Sequence, residues 1–466
     1  MPVNILLLRP FSTIQKVIPI GLLYLSAYLK KACPQVKVKL VDFRLHPEKP
    51  YARIEDDLGG FIPDIIGISS LSLELMEAIA LARQCRTIFP ESQLVLGGPA
   101  SSSDYDVIAP LDVFDRIVVG EGEEIFKGIV NKSIDHASKV LYASDHPAVD
   151  VDYVAMPDYP LINLPDYFLR GSSHEAFQNH KRYVPIFTSR GCPFDCGFCF
   201  HIFGKTVRFR DIDNVCREVD FLVQNYGIRE IHIEDDVFNL KTDRVKHFFA
   251  HLIRENLRLA VSFPNGIIYT NIDEDLVRTF KAAGVYRVSL GIESTSPRIM
   301  ELISKKHDLQ KLEEAIRLFD KYRILTHGFL ITGFPTETEQ DLEATVRFVE
   351  KSRLHTFRFG HYVPFRRTPL YEHFSHLFNE QGLDNAASAR YRDGQIYSDI
   401  SAEVTRDKVR SLSLRFYLNP SRIGRIVAAM NKKVMLLFIL RKTRHYLAKL
   451  VGKADTPVAA VGSGQH

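Results

Sequence analysis

The sequence predicts an α/β chain in which an N-terminal doubly wound parallel sheet is followed by a partial (β/α)6 barrel and a helical C-terminal region. Three observations carry that reading. Through the first 130 residues, short apolar runs of strand length alternate with stretches of helical period. The alternation resumes near residue 183 and brings six strands. Finally, 466 residues exceed one ordinary domain, and 45% hydrophobic with 25% charged residues is the balance of a globular chain able to bury sizeable cores.

In chain order, NILLLRP and VKVKLVDF read as strands around the helical IGLLYLSAYLKKA. IIGISSL and QLVLGG flank the amphipathic LELMEAIALARQCRTIF, and RIVVGEG is the last strand of the series. A βαβ cadence of this kind gives a parallel sheet. Ligands then bind beyond the carboxyl ends of the strands. Those ends read Arg9-Pro10, Asp42-Phe43-Arg44, Ser69-Ser70-Leu71, Gly97-Gly98-Pro99 and Gly120-Glu121-Gly122-Glu123, several of them small enough for a ligand to approach the backbone. This domain is assigned to 1–136. From 137 to 182 periodicity weakens and Pro, Asp and Tyr accumulate, which predicts an ordered linker laid across the surface.

The barrel is assigned to 183–374. Its strands are YVPIFTSRG, EIHIEDD, AVSFPNGII, YRVSLGIES, THGFLITGF and TFRFGHYVP, separated by amphipathic helices such as RVKHFFAHLIREN and LQKLEEAIRLFDKY. The working face of a barrel lies at the strand C-termini. A helical, basic region is expected over 375–453, and 454–466 reads as a disordered tail.

The net charge of +4 is too near balance to point to nucleic acid, and no such partner is expected. Arg406 to Lys453 nevertheless holds thirteen Lys/Arg against the single acid Asp407. Within it, Lys432 to Arg444 brackets VMLLFIL with charges, a pattern for a helix packed on the barrel or for peripheral membrane contact. The early ILLL is interrupted by Arg9 and Pro10, so no secretory leader is read, and Val434–Leu440 is far shorter than a membrane span. A reducing, cytoplasmic setting follows, in which clustered cysteines favour metal over disulfide. Cys33, Cys85 and Cys216 fall on predicted helices and are expected to be ordinary buried thiols.

The other three cysteines lie within eight residues. Ser189-Arg190-Gly191-Cys192-Pro193-Phe194-Asp195-Cys196-Gly197-Phe198-Cys199 follows the first barrel strand and spaces its thiols C-x3-C-x2-C. Such thiolates suit an iron–sulfur cluster, or zinc with His201 as a fourth ligand. Spacing, aromatic position and strand context together resemble the radical S-adenosylmethionine superfamily. That resemblance implies a 4Fe-4S cluster on Cys192, Cys196 and Cys199, with Phe198 at the family's aromatic position, in a TIM-like barrel. It also implies S-adenosylmethionine near Glu234 and Asp235 (methionyl group), Ser289 and Glu293 (ribose or methionyl group) and Gly333 (adenine). Arg208-Phe209-Arg210 recurs in relatives, and its simplest role is structural. Arg366 and Arg367, in VPFRRTPLY, replace small turn residues and read as a solvated turn or a greeting for an anionic substrate.

The N-terminal domain shows no G-x-G-x-x-G and no P-loop, and the acids of Gly120-Glu121-Gly122-Glu123 would repel a phosphate. It resembles instead the cobalamin-binding domain often fused ahead of such barrels. Ser69 and Leu71 match its S-x-L, Gly97 and Gly98 its G-G, and Gly120 closes the same strand-end row. The D-x-H-x-x-G histidine of cobalamin mutases is absent: Phe43-Arg44 follow Asp42, and His46 falls too late. The resemblance therefore implies base-off cobalamin without a histidine ligand.

Together these readings imply a cobalamin-dependent radical S-adenosylmethionine enzyme, foremost a methyltransferase acting on a small molecule at an unactivated carbon or phosphorus centre. An oxidative cyclase or rearrangement enzyme, as in the anaerobic magnesium-protoporphyrin ester cyclase group, is the alternative, and a non-enzymatic corrinoid and cluster sensor a remote one. An external donor such as flavodoxin or ferredoxin would supply electrons.

Overall fold

The computed structural model describes residues 2–12, 16–48, 50–135, 137–173, 178–378 and 397–430. The basic segment Lys432 to Arg444 and the expected tail 454–466 lie outside the described residues. The chain forms two compact units: Met1–Ser172 with Ser189–Glu218 and Val363–Gln395, and Ser173–Thr188 with Val219–Tyr362 and Ile396–His466. No described helix is long and apolar enough to cross a membrane.

The first unit is built on six parallel strands, β1 (Val3–Arg9), β2 (Val36–Asp42), β3 (Ile65–Ser69), β4 (Gln93–Gly97), β5 (Arg116–Val119) and β6 (Val140–Tyr142), in the order β2-β1-β3-β4-β5-β6. Successive side chains of β1 serve opposite faces, as the period of two requires. Ile5 and Leu7 pack with α1 (Ile20–Ala32) and α4 (Glu123–Val130). Leu6 and Leu8 pack with α2 (Leu75–Ile88) and α3 (Pro99–Ile108). The sheet is thus covered on both faces, and inner strands such as β1 and β3 read as nearly unbroken apolar runs for that reason, while the edge strand β2 alternates.

One boundary needs correction. The stretch expected as a surface linker from 137 contributes β6 to the sheet and the helix α5 (Leu164–Arg170) to the interior, where Tyr159, Leu164 and Tyr167 are buried. A three-residue strand is too short to show a period, so the sequence pattern could not reveal it.

The barrel strands are β7 (Tyr183–Ile186), β10 (Glu230–Ile233), β11 (Ala260–Phe263), β12 (Val285–Glu293), β13 (Leu325–Thr332) and β14 (Thr356–His361), all parallel, in the order β14-β13-β12-β11-β10-β7. The segment YVPIFTSRG is two strands rather than one. After β7, which opens the barrel sheet at Tyr183, Ser189–Arg190 (β8) pairs antiparallel with Arg208–Phe209 (β9), and residues 189–218 group with the first unit. Outside the barrel strands run α6 (Ile212–Tyr226), α7 (Thr242–Arg254), α8 (Glu274–Ala282), α9 (Pro297–Leu302), α10 (Leu309–Lys321) and α11 (Glu339–Lys351). Their starts are fixed locally: Asp273 Oδ1 accepts from Leu276 N at 2.7 Å and Asp308 Oδ1 from Lys311 N at 3.0 Å. Phe249, Phe263 and Phe280 interlock at centroid separations of 5.0 to 6.4 Å and seat α7 and α8 on β11. The helix Ala402–Tyr417 packs on β14 through Phe416 and Phe357, 4.7 Å apart, so the described part of the C-terminal region is helical and lies against the barrel.

Candidate functional site

Three regions carry the predicted residues. The first is the row of strand ends in the N-terminal sheet. Ser69 and Gly97 are neighbours in register, and a Cβ added at Gly97 would meet no atom within 4 Å. Gly98 adopts φ +93°, and its missing Cβ would stand 2.8 Å from Ser70 O. Leu71 N donates to Glu74 Oε2 at 3.1 Å. Gly120, at φ +89°, donates its amide to Ser102 Oγ on α3 at 2.9 Å. The ends of β1 and β2 differ. Arg9 pairs with Glu74 at 2.5 Å, Arg44 with Asp42 at 2.6 Å, and Tyr167 Oη donates to Asp42 Oδ2 at 2.8 Å. Burial drives Tyr167 well above its ordinary range, with Asp42 adding to the effect. These ends are sealed, and Arg9 also donates to Ser69 O at the end of β3 at 2.8 Å, whereas the end of β4 at Gly97 is open. His46 stands on the surface beside Glu48, 3.4 Å away.

The second region is the thiol loop, also in the first unit. Gly191 turns out of β8 at φ +96°, where a Cβ would meet Thr206 O at 2.4 Å. Cys192 N then donates to Gly204 O, Cys199 N to Cys196 O at 3.0 Å, and Leu370 N, on α12 (Pro369–His373), to Gly197 O at 2.8 Å. All three cysteines and Phe198 are partly exposed. Among the described residues no three His, Cys, Asp or Glu side chains already form a metal-binding group. The donor set nonetheless fits a cluster: three soft thiols on one loop whose backbone is pinned on both sides. Cys33, Cys85 and Cys216 are buried as expected, and burial raises Cys85 to about 12.

The acids and arginines around this loop explain two motifs. Arg190 Nη1 donates to Glu121 Oε1 at 2.6 Å and Glu123 Oε1 at 2.7 Å, and Arg208 pairs with Glu121 Oε2 at 2.7 Å. Arg210 pairs with the buried Glu218 at 2.7 Å and donates to Tyr24 Oη. The expected structural role of the Arg208–Arg210 stretch is what these bonds describe. Arg366 and Arg367 both reach Asp106 on α3, at 2.8 and 3.3 Å, and Arg367 lies 3.8 Å over the Tyr105 ring.

The third region is the barrel sheet. Alternation and register place Glu230, His232, Ser262, Arg287, Ser289, His327 and Arg358 on one face. Glu230 Oε1 takes His232 Nε2 at 2.7 Å and Tyr286 Oη at 2.8 Å. His327 lies 2.8 Å from Thr356 Oγ1, and burial, with Arg287 and Arg358 nearby, holds it neutral. Ser289 Oγ, His232 Nδ1 and Asn265 Oδ1 are buried with no hydrogen-bond partner among the described residues. Glu234 is buried at the end of β10, and Asn265 Nδ2 donates to its carbonyl at 2.7 Å. Asp235 is engaged elsewhere: Thr188 donates to it through both its amide, at 2.6 Å, and its hydroxyl. Glu293, at φ +59°, accepts from Lys305 Nζ at 2.8 Å. Gly333, at φ +85°, donates its amide to Glu337 Oε2, which also accepts from Thr332 Oγ1 at 2.9 Å. Burial pushes Glu337 up to about 7 against these hydrogen bonds.

Ser289 is the sequence-predicted residue whose unpartnered hydroxyl fits a cofactor best; for Asp235, Glu293 and Gly333 the structure supplies partners within the protein. His232, Arg287, His327, Arg358 and Asn265 were not read from the sequence. The signal that could have found His232, Arg287 and Arg358 is the polar residue at every second position of EIHI, YRVS and TFRF; His327 and Asn265 carry no such period.

Comparison with known proteins finds two matching families. Residues 12–130 match the B12 binding domain, and residues 186–349 match the Radical SAM superfamily. An uncharacterized methyltransferase of Pyrococcus horikoshii is 29% identical over 372 residues, 76% of this chain and 78% of that protein. The cytidylyl-2-hydroxyethylphosphonate methyltransferase of Streptomyces wedmorensis is 26% identical over 87% of this chain and 89% of its own length. Among solved structures, the radical S-adenosylmethionine methyltransferase TsrM of Kitasatospora setae, with cobalamin and a [4Fe-4S] cluster bound, superposes with a TM-score of 0.68 at 16% identity, covering 94% of this chain and all of that one.

Proposed function

We propose that this chain, which joins a B12-binding domain to a radical S-adenosylmethionine domain, is an enzyme that methylates a small molecule at an unactivated carbon or phosphorus centre. The observation that carries the reading is the sharing of one compact unit by two features: the C-x3-C-x2-C loop and the open strand end at Gly97. That the two relatives described above carry the name methyltransferase supports methyl transfer.

When bound, the cluster supplies the electron that cleaves S-adenosylmethionine to a 5'-deoxyadenosyl radical, and the corrinoid supplies the methyl group. Cys192, Cys196 and Cys199 would hold the cluster, and an external donor such as flavodoxin or ferredoxin would reduce it. Ser69, Leu71, Gly97, Gly98 and Gly120 would admit the corrinoid's nucleotide tail, the gap beside Gly97 giving it room. Ser289 Oγ and Asn265 Oδ1 have hydrogen-bonding capacity to offer S-adenosylmethionine, with Glu234 toward its ammonium. His327, held neutral, adds a hydrogen-bonding group to the barrel face without adding charge.

Anaerobic reconstitution followed by incubation with methyl-labelled S-adenosylmethionine and candidate substrates tests the reading. Label in the product is the expected result. Formation of 5'-deoxyadenosine with an unlabelled, altered product would replace methyl transfer by cyclisation or rearrangement. Absence of both would remove the enzymatic assignment. The triple variant Cys192→Ala, Cys196→Ala, Cys199→Ala should lose about four irons per chain.

A further inference from the structure

The Gly120-Glu121-Gly122-Glu123 loop and Arg190 stand 67 to 70 residues apart in sequence, yet they meet in a buried network that the proposed chemistry leaves without a task. Arg190 offers one terminal nitrogen to Glu121 at 2.6 Å and to Glu123 at 2.7 Å, and its guanidinium lies 5.4 Å from the ring centroids of both Tyr24 and Phe203. Arg208, across the β8–β9 pair, takes the second oxygen of Glu121. Two cations meet two anions, so the network is neutral, and all four side chains are less than one-fifth exposed.

Its placement is the telling feature. Arg190 precedes Cys192 by two residues, with Gly191 forced between them by its positive φ. Glu121 follows Gly120, whose amide is tied to Ser102 on α3, the helix that begins just after Gly98. A continuous set of bonds therefore runs from the open strand end to the first thiol. We propose that Arg190 is a positioning residue: gripped by Glu121 and Glu123, it fixes the thiol loop onto the strand-end loop of the N-terminal sheet, so that one network sets the pose of both candidate cofactor sites.

The test uses the full chain without cofactors, so its failure is distinct from failure of the proposed chemistry. Iodoacetamide alkylation of each cysteine is followed by mass spectrometry, together with hydrogen exchange of residues 191–204. Arg190→Gln should speed alkylation of Cys192, Cys196 and Cys199 and exchange in the loop by about tenfold or more, because exchange reports local opening, while buried Cys33, Cys85 and Cys216 stay protected. Arg190→Lys keeps the charge but loses the planar fork, and should restore part of the protection. Glu123→Gln leaves the Glu121 bonds in place and should give a smaller acceleration of the same kind. Rates in Arg190→Gln within about twofold of the parent protein would overturn the proposal. Where Arg190→Gln exposes Cys33, Cys85 and Cys216 as well, Glu123→Gln decides: loop-only acceleration sustains the proposal, and parent-like rates overturn it.

Discussion

Both units are built on six parallel strands, but they distribute polarity in opposite ways. In the N-terminal sheet the strand interiors are apolar toward both faces, and ionic groups such as Arg9 and Asp42 gather at the strand ends. In the barrel sheet one face is apolar toward the helices, and the other carries Glu230, His232, Ser262, Arg287, Ser289 and His327 along the strands themselves. A doubly wound sheet has no interior surface to spare, so its chemistry is confined to the rim. A curled sheet keeps one, and chemistry can extend along its length. Substitutions in the first sheet should therefore cost stability, and substitutions on the inner face of the second should cost function.

The strongest challenge to this contrast is Arg9→Met. It strips Glu74 of a buried partner and should destabilise by about 3–5 kcal/mol in chemical denaturation; a loss below about 1 kcal/mol would mean that the sealed strand ends of β1 and β2 are not structural. Next comes Glu337, whose buried carboxyl is raised from 4.5 to about 7. A carboxyl raised on folding favours the folded state below the unfolded value and loses that advantage as pH rises, so stability should fall between about pH 4.5 and 7, by up to about 1.4 kcal/mol per unit. Glu337→Gln should flatten that slope, as urea titrations across the window would show. Gly98→Ala, forced into φ +93° with its Cβ 2.8 Å from Ser70 O, should cost about 1–3 kcal/mol and weaken hydroxocobalamin binding measured by equilibrium dialysis. The smallest effect on stability belongs to Ser289→Ala. Removing a buried hydroxyl without a partner should leave stability within about 1 kcal/mol or raise it, while labelled-methyl turnover falls. Marked destabilisation of that variant would erase the distinction between the two sheets.

Much of this was legible beforehand. Eleven of the twelve strands in the two main sheets follow from apolar runs bounded by small residues, because burial acts on neighbours in sequence. The exception, Val140–Tyr142, is too brief for a pattern. The thiol loop was legible because its ligands are local in sequence. The pairings of Glu121 and Glu123 with Arg190, and of Asp235 with Thr188, were not, since partners 47 to 69 residues apart leave no periodic trace. Glu121 and Glu123 were read only as repelling phosphate, while in the folded chain their charge is spent on arginines. Ser289 was legible by position, but its lack of a partner needed the surrounding atoms.

Tyr159 has a practical meaning for anyone wishing to cut this chain into modules. It is fully buried, and its hydroxyl reaches Glu218 at 2.6 Å, beside the Arg210 pairing. A recombinant fragment beginning near residue 183, where the second strand–helix series opens, would carry Glu218, Arg190 and Arg208 but leave behind Tyr159, Tyr24, Glu121 and Glu123. Its cysteines would emerge on a segment stripped of its footing, with buried charges newly unmatched. An N-terminal half transplanted onto this chain would have to bring its own match for Arg190 and Arg210.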